Sequence, residues 1–130
     1  MYTCNAIGTG GFTNSDVVAC YLSACIHDLA HPGYNNNYLI NSRDKLAIQY
    51  NDKSVLENFH VATAFAYTAD ASMNIFAHFS REDYKTMRNK LIAMVLATDF
   101  SHHFTALTKF KNKFSNLESS ILAEDDKLSL

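Results

Sequence analysis

Between Asn14 and Ala30 the apolar residues Val18, Tyr21, Leu22, Cys25 and Leu29 recur three or four positions apart. An α-helix turns once in about 3.6 residues, so this spacing winds one apolar stripe along a helix. Asn14-Ser15-Asp16 supplies an N-cap cluster with an acid in the first turn, and Pro32-Gly33 stops the helix after about Ala30. Residues 34–42 read as an Asn-rich loop with a short apolar insertion, followed by a short helix around 43–50 and a turn at Asn51-Asp52-Lys53. Ser54 and Glu57 have the spacing of a capping box, which opens a helix to about Tyr67. Ser80 and Asp83 repeat that start signal, and the long helix they open ends or kinks near Thr98-Asp99. A last amphipathic helix covers roughly 102–117, with Met73, Met87 and Met94 assigned to the core. Residues 1–13 read as loop, and the polar tail SSILAEDDKLSL is expected to fray.

Glycine and proline reinforce this pattern. The chain has 4 Gly and 1 Pro, and few alternating runs of β-branched residues, so the predicted fold class is all-α. A length of 130 residues, with no internal repeat or linker, fits one small domain. Gly8-x-Gly10-Gly11 follows no strand and precedes no Lys-Ser or Lys-Thr, so it is loop and not a phosphate cradle.

Charge and cysteine content narrow the function classes. A net charge of -2 offers no basic field for nucleic acid or an anionic membrane. The one basic cluster, Lys109-Phe110-Lys111-Asn112-Lys113, reads as a solvated helix face. No apolar run approaches the roughly 20 residues that span a bilayer. The start, MYTCNAIGTGGF, lacks the basic and apolar regions of a secretory signal. Cys4, Cys20 and Cys25 are odd in number and form no Cys-x-x-Cys pair. A disulfide framework and a zinc knuckle are therefore not expected, and a reducing, cytoplasmic setting is.

Candidate chemistry concentrates in HDLAHPGYNNNYLIN, residues 27–41. On a continuous helix His27 and His31 lie about 40° apart, with Asp28 on the same side about 60° beyond His31 and the small Cys20 and Ala24 preceding them. Imidazole and carboxylate together suit a transition-metal or Mg/Mn ion, and a helix C-terminus favours a cation. From the spacing alone a surface His–Asp pair, with His31 capping the helix end, is the reading to prefer. The adjacent His102 and His103 diverge by about 100° and read as surface or interhelix contacts.

Two further segments, NDKSVLENFHVA and MVLATDFSHHF, follow in order and at matching intervals. Together with HDLAHPGYNNNYLIN they resemble the catalytic domain of class I cyclic nucleotide phosphodiesterases. The resemblance runs from about Phe12 to Asn116 within a chain expected to be a partial, central portion of that domain, over residues 1–130. It implies an all-helical HD-type domain holding two divalent metal ions, Zn and Mg or Mn. The implied activity is hydrolysis of cAMP or cGMP to the 5′-nucleotide in signal transduction. By this resemblance His27 is a direct ligand of one ion, and Asp28 bridges both. His31 matches a histidine that hydrogen-bonds water at the metals. Glu57 matches a glutamate orienting water on the second ion, although the same residue completes a capping box. Thr98 matches a threonine bonded to such a water, with an ordinary helix end, and Asp99 capping the next helix, as the alternative. Asn36 falls on the signature asparagine and reads as structural. His60, three residues after Glu57, reads as packing or surface.

The chain departs from the family pattern at three places. Ala30 stands where an acid is frequent, and Phe59 where histidine is frequent. The family's HNxxHA segment, with its general acid, is expected upstream. A further metal aspartate, and the glutamine and aromatic residue that clamp the purine, are expected downstream. The isolated chain is accordingly expected to turn over little substrate. Two other functions fit the same residues: a non-catalytic helical binding module derived from such a domain, and another HD-type phosphohydrolase. Oligomeric state is not legible.

Overall fold

The structure, a computed structural model, describes residues 11–105 and 107–115. Residues 1–10 of the loop expected at 1–13, Cys4, the first two glycines of Gly8-x-Gly10-Gly11 and the tail beyond Ser115 lie outside the described residues. Among the described residues every regular element is helical. The chain divides into two units, one ending at Asp99 and one beginning at Phe100.

The first unit has α1 (Asn14–Ile26), α2 (Asn36–Asn41), α3 (Lys45–Gln49), α4 (Val55–Thr68) and α5 (Arg81–Leu96). α1 packs along α5, α4 packs on both, and the short α2 and α3 cover the start of α4. Ala19, Phe76, Met87 and Leu91 form one core cluster, enclosed by Leu22, Phe65, Tyr84 and Met94. Leu39, Ala47, Val55 and Leu56 form the second, where α2, α3 and α4 meet. The Arg88 guanidinium lies 4.1 Å from the Phe65 ring centroid, a cation–π contact that closes the first cluster.

Several sequence expectations change. The stripe assigned to the packing face of α1 is largely solvent-facing: Val18 and Tyr21 are 46% and 68% exposed, and Cys25 is exposed. The packed face instead carries the small residues Ala19 and Ser23. Small side chains let two helix backbones approach closely. The Ser23 hydroxyl is satisfied by donating to the Ala19 carbonyl at 2.6 Å, so its burial leaves no orphan polar group. Met73 is also exposed rather than core, because it lies in the irregular turn segment between α4 and α5. The Asn-rich stretch forms α2 rather than loop. The Asn35 side chain accepts from the Tyr38 N–H at 2.8 Å, and Leu39, 2% exposed, anchors the turn in the second cluster. Asparagine is a helix cap as readily as a loop residue, which is why the pattern misled.

The cap of α1 is Thr13, one residue before the expected cluster, with Asp16 completing a capping box. Lys90 on α5 adds an ion pair to Asp16 at 2.7 Å and donates to the Ser15 hydroxyl at 3.1 Å, tying α1 to α5. The Lys90 hydrogen bond first, then the Thr13 hydroxyl and N–H, hold the Asp16 carboxyl far below the usual carboxylate range. A depressed folded pKa means that this contribution is complete above the unfolded value of about 4 and is lost as pH falls below it. Asp16→Asn should therefore narrow the stability gap to the parent protein between about pH 4 and pH 2, and leave it constant from about pH 5 to 7. Urea unfolding followed by circular dichroism across that range checks this. A gap that widens on acidification contradicts it.

The second unit begins with a 3-10 turn at Phe100–His102 and continues as helix through the described residues up to 115. Phe100 stacks on His103 at 5.2 Å between centroids, and Phe110 meets Phe114 at 5.5 Å. Lys109, Lys111 and Lys113 are exposed, as a solvated face requires. No helix among the described residues is long and apolar enough to cross a membrane.

Candidate metal centre

α1 ends at Ile26, four residues earlier than the spacing predicts. Pro32 disfavours helical backbone at His31, and the Leu29 carbonyl lies 2.7 Å from the Nδ1 of His60. The chain then turns instead of continuing, with left-handed backbone at Ala30 (φ 59°) and Gly33 (φ 85°) on either side of His31. The His31 N–H closes this turn on the Asp28 carbonyl at 3.2 Å. His27, Asp28 and His31 thus lie in the last cap and the turn of α1, not along one helical face as expected.

The turn presents the Asp28 carboxylate between two imidazoles. Its Oδ2 lies 3.4 Å from His27 Nε2, and its Oδ1 lies 3.8 Å from His60 Nε2. His31 stacks on His60 with centroids 5.6 Å apart. Asp28, His31 and His60 each offer a ligand atom, all within 4.8 Å of one another, and among the described residues this is the one group of three. Asp28 and His31 are exposed while His60 is only 1% exposed, so the cluster is open to solvent on one side and seated on the core on the other.

Backbone groups fix the histidine tautomers. A carbonyl only accepts, so His27 donates from Nδ1 to Ala24 at 2.8 Å, and His60 donates from Nδ1 to Leu29 at 2.7 Å. In the neutral rings the Nε2 lone pairs of both are left facing Asp28. This is the usual way a protein orients a metal-ligating histidine. His31 is the reverse. Its Nδ1 accepts from the Gly33 N–H at 3.0 Å, so the neutral ring carries its proton on Nε2. His31 is thereby a donor suited to water or a phosphoryl oxygen, while His27, His60 and Asp28 offer lone pairs to a cation. The donor set fits a divalent ion with mixed imidazole and carboxylate preference.

His27, expected as a direct ligand, is not part of that group of three, and neither is Glu57. It is half-buried, one helical turn before His60, and its Oε2 accepts from the Asn36 amide at 2.9 Å. The expected capping box does not form. Ser54 adopts left-handed backbone (φ 41°) and makes no side-chain cap. Its hydroxyl donates to the Asp99 carboxylate at 2.6 Å instead. Glu57 is therefore free of the helix-end role that competed with a water-orienting one. Thr98 donates its hydroxyl to the Val95 carbonyl at 2.7 Å, at the exposed end of α5. Its neighbour Asp99 carries the link to Ser54 and the start of α4.

In the sequence His60 reads as packing or surface and Asn36 as structural. His60 does sit in the core, as that reading has it, and it also faces Asp28. Its place four residues after Leu56 and beside Val61, on the apolar side of a predicted helix, is the sequence signal for it.

The whole chain, residues 1–130, matches the family model described as 3'5'-cyclic nucleotide phosphodiesterase. It is 54% identical over 98 residues to a probable 3',5'-cyclic phosphodiesterase of Caenorhabditis elegans, covering 74% of this chain and 13% of that protein. It is 42% identical over 109 residues to the human high affinity cGMP-specific 3',5'-cyclic phosphodiesterase 9A, covering 84% of this chain and 18% of that protein. The phosphodiesterase domain of Salpingoeca rosetta rhodopsin phosphodiesterase superposes with a TM-score of 0.77 at 36% identity, covering 82% of this chain and 32% of that one. The chain thus spans less than a fifth of these two curated relatives and about a third of the solved domain. With a helical fold, a clustered His–Asp centre and a match along its full length, this chain belongs to the 3',5'-cyclic nucleotide phosphodiesterase family.

Proposed function

We propose that this chain carries one part of a two-metal active site that hydrolyses 3',5'-cyclic nucleotides, cAMP or cGMP, to 5'-nucleotides. The observation that carries the reading is the Asp28 carboxylate held between the Nε2 atoms of His27 and His60, at 3.4 and 3.8 Å, in rings whose tautomers the backbone has already set. His27 and Asp28 are the proposed direct ligands, with the His60 Nε2 lone pair facing the same carboxylate. Divalent cations held there, Zn with Mg or Mn, would neutralise charge on the phosphoryl group and make water a better nucleophile near neutral pH. His31 donates from Nε2 toward water or a phosphoryl oxygen. Glu57, held by Asn36, accepts from water, and Thr98 at the end of α5 has hydroxyl lone pairs left for the same purpose. Cys20 and Cys25 are free and exposed, which fits the reducing cytoplasm as the location.

One carboxylate and these imidazoles furnish ligands for one ion more readily than for two. Hydrolysis of cAMP and cGMP by this chain with added Mg²⁺ and Zn²⁺ is therefore expected to stay at the level of the metal blank, while Zn²⁺ raises the thermal midpoint. Turnover abolished by Asp28→Ala would place a complete site in these 130 residues and overturn the partial-site reading. An unchanged midpoint with saturating Zn²⁺ would remove the metal assignment.

A further inference from the structure

We propose that Asn36 is the positioning residue for Glu57: one side-chain amide from α2 both caps α4 and aims the Glu57 carboxylate. This rests on the proposed role of Glu57 in orienting water.

The start of α4 lacks a cap of its own. Ser54 has left-handed backbone, and its hydroxyl is committed to Asp99. Asn36 fills the position from another helix. Its Oδ1 accepts from the Leu56 N–H at 2.9 Å, and its Nδ2 donates to Glu57 Oε2 at 2.9 Å. The orientation of the amide is determined by its partners. A backbone N–H only donates and an ionised carboxylate only accepts, so oxygen faces Leu56 and nitrogen faces Glu57. Rotating the amide by 180° would break both bonds at once.

The donor is itself well anchored. Asn36 is the first residue of α2, whose cap Asn35 holds the Tyr38 N–H and whose Leu39 is 2% exposed in the cluster with Val55 and Leu56. The α4 helix dipole also attracts Glu57, but a dipole sets no direction for a carboxylate plane. A half-buried amide at hydrogen-bond distance does. Asn36 therefore acts on the chemistry only through Glu57, and its two bonds can be separated by substitution.

Four variants of the full chain make the separation: N36D, N36A, E57Q and N36D/E57Q. Aspartate at position 36 keeps the acceptor for Leu56 and loses the donor to Glu57. Hydrogen exchange at the Leu56 amide should stay within about threefold of the parent in N36D and accelerate roughly five- to tenfold in N36A. The thermal midpoint should fall in N36D, where two carboxylates face each other. It should recover in N36D/E57Q, where the glutamine amide introduced on α4 donates to the aspartate introduced on α2, the reverse of the parent bond. Water-proton relaxation with bound Mn²⁺ reads the functional half, since a purely structural cap leaves it unmoved. Relaxation should change in both N36D and E57Q, and should remain changed in N36D/E57Q although stability has returned.

Three results overturn the proposal by different routes. A midpoint not rescued in N36D/E57Q shows that the Asn36–Glu57 bond is not the coupling. A changed relaxation in E57Q with a parental value in N36D leaves the water role of Glu57 standing and removes Asn36 from it. A parental relaxation in E57Q itself removes the water role, and with it anything for Asn36 to position.

Discussion

Asp28→Ala is expected to weaken Zn²⁺ binding to this chain on the order of 100-fold or more, with almost no change in metal-free stability. The two halves of that expectation have separate causes. Asp28 is the one carboxylate in the centre, 3.4 Å from His27 Nε2 and 3.8 Å from His60 Nε2. Without it the site is left with neutral imidazoles and no anionic ligand to offset a divalent charge. Its side chain is 67% exposed, however, and its ion pairs are loose, so little folding free energy depends on it. An ion present at about 100 times its Kd stabilises the folded chain by roughly 2.7 kcal/mol, and the variant should lose nearly all of that. Calorimetric titration with Zn²⁺, paired with thermal melts with and without the ion, measures both halves. If Asp28→Ala keeps the full Zn²⁺ shift, the ion sits elsewhere, and the exposed thiols of Cys20 and Cys25 become the first places to look.

The residues at this centre were legible in the sequence to unequal degrees, for physical reasons. Asp28 and His27 stand out because adjacent unlike ligands are chemically conspicuous. Their expected geometry was wrong because helical spacing was extended through Ala30. Ala30 takes left-handed backbone at φ 59°, which a β-carbon disfavours and no pattern signals. The turn nonetheless returns His31 to Asp28, so the pairing survives while its cause changes. Ser54 and Glu57 misled in the opposite way. Their spacing fits a capping box, but the hydroxyl is drawn to Asp99, forty-five residues away in the chain. A contact across that distance is invisible to local rules. The long helices were easier, since Ser80 and Asp83 do form the predicted start of α5, with the Asp83 N–H donating to the Ser80 hydroxyl at 3.1 Å. The apolar stripe of α1 was misplaced because burial follows the partner. A close-packed helix pair prefers Ala19 and Ser23 at the contact, whatever hydrophobic residues lie on the other side.

His60→Ala should damage both quantities that Asp28→Ala separates. His60 is 1% exposed and is among the largest fully buried side chains of the described residues. Its removal leaves a cavity on α4 and takes the donor from the Leu29 carbonyl, which it meets at 2.7 Å. A lost ring and an orphaned carbonyl together are worth about 2–4 kcal/mol. That is a large share of the roughly 5–15 kcal/mol that holds an ordinary domain folded. Because the same bond pins the turn bearing Asp28 and His31, metal affinity should fall with stability rather than independently of it. His60→Phe tests the division. Phenylalanine is somewhat larger than the imidazole and leaves no cavity, so the loss should shrink to about 1–3 kcal/mol, the share of the unpaired carbonyl and of slight crowding. Zn²⁺ binding should not return with it, since the ring offers neither the Nδ1 donor that holds the turn nor the Nε2 lone pair facing Asp28. Chemical denaturation and Zn²⁺ titration of the two variants give the four numbers needed. Zn²⁺ affinity restored by phenylalanine would mean that His60 serves the centre through packing alone, and that His27 and Asp28 hold the ion without it.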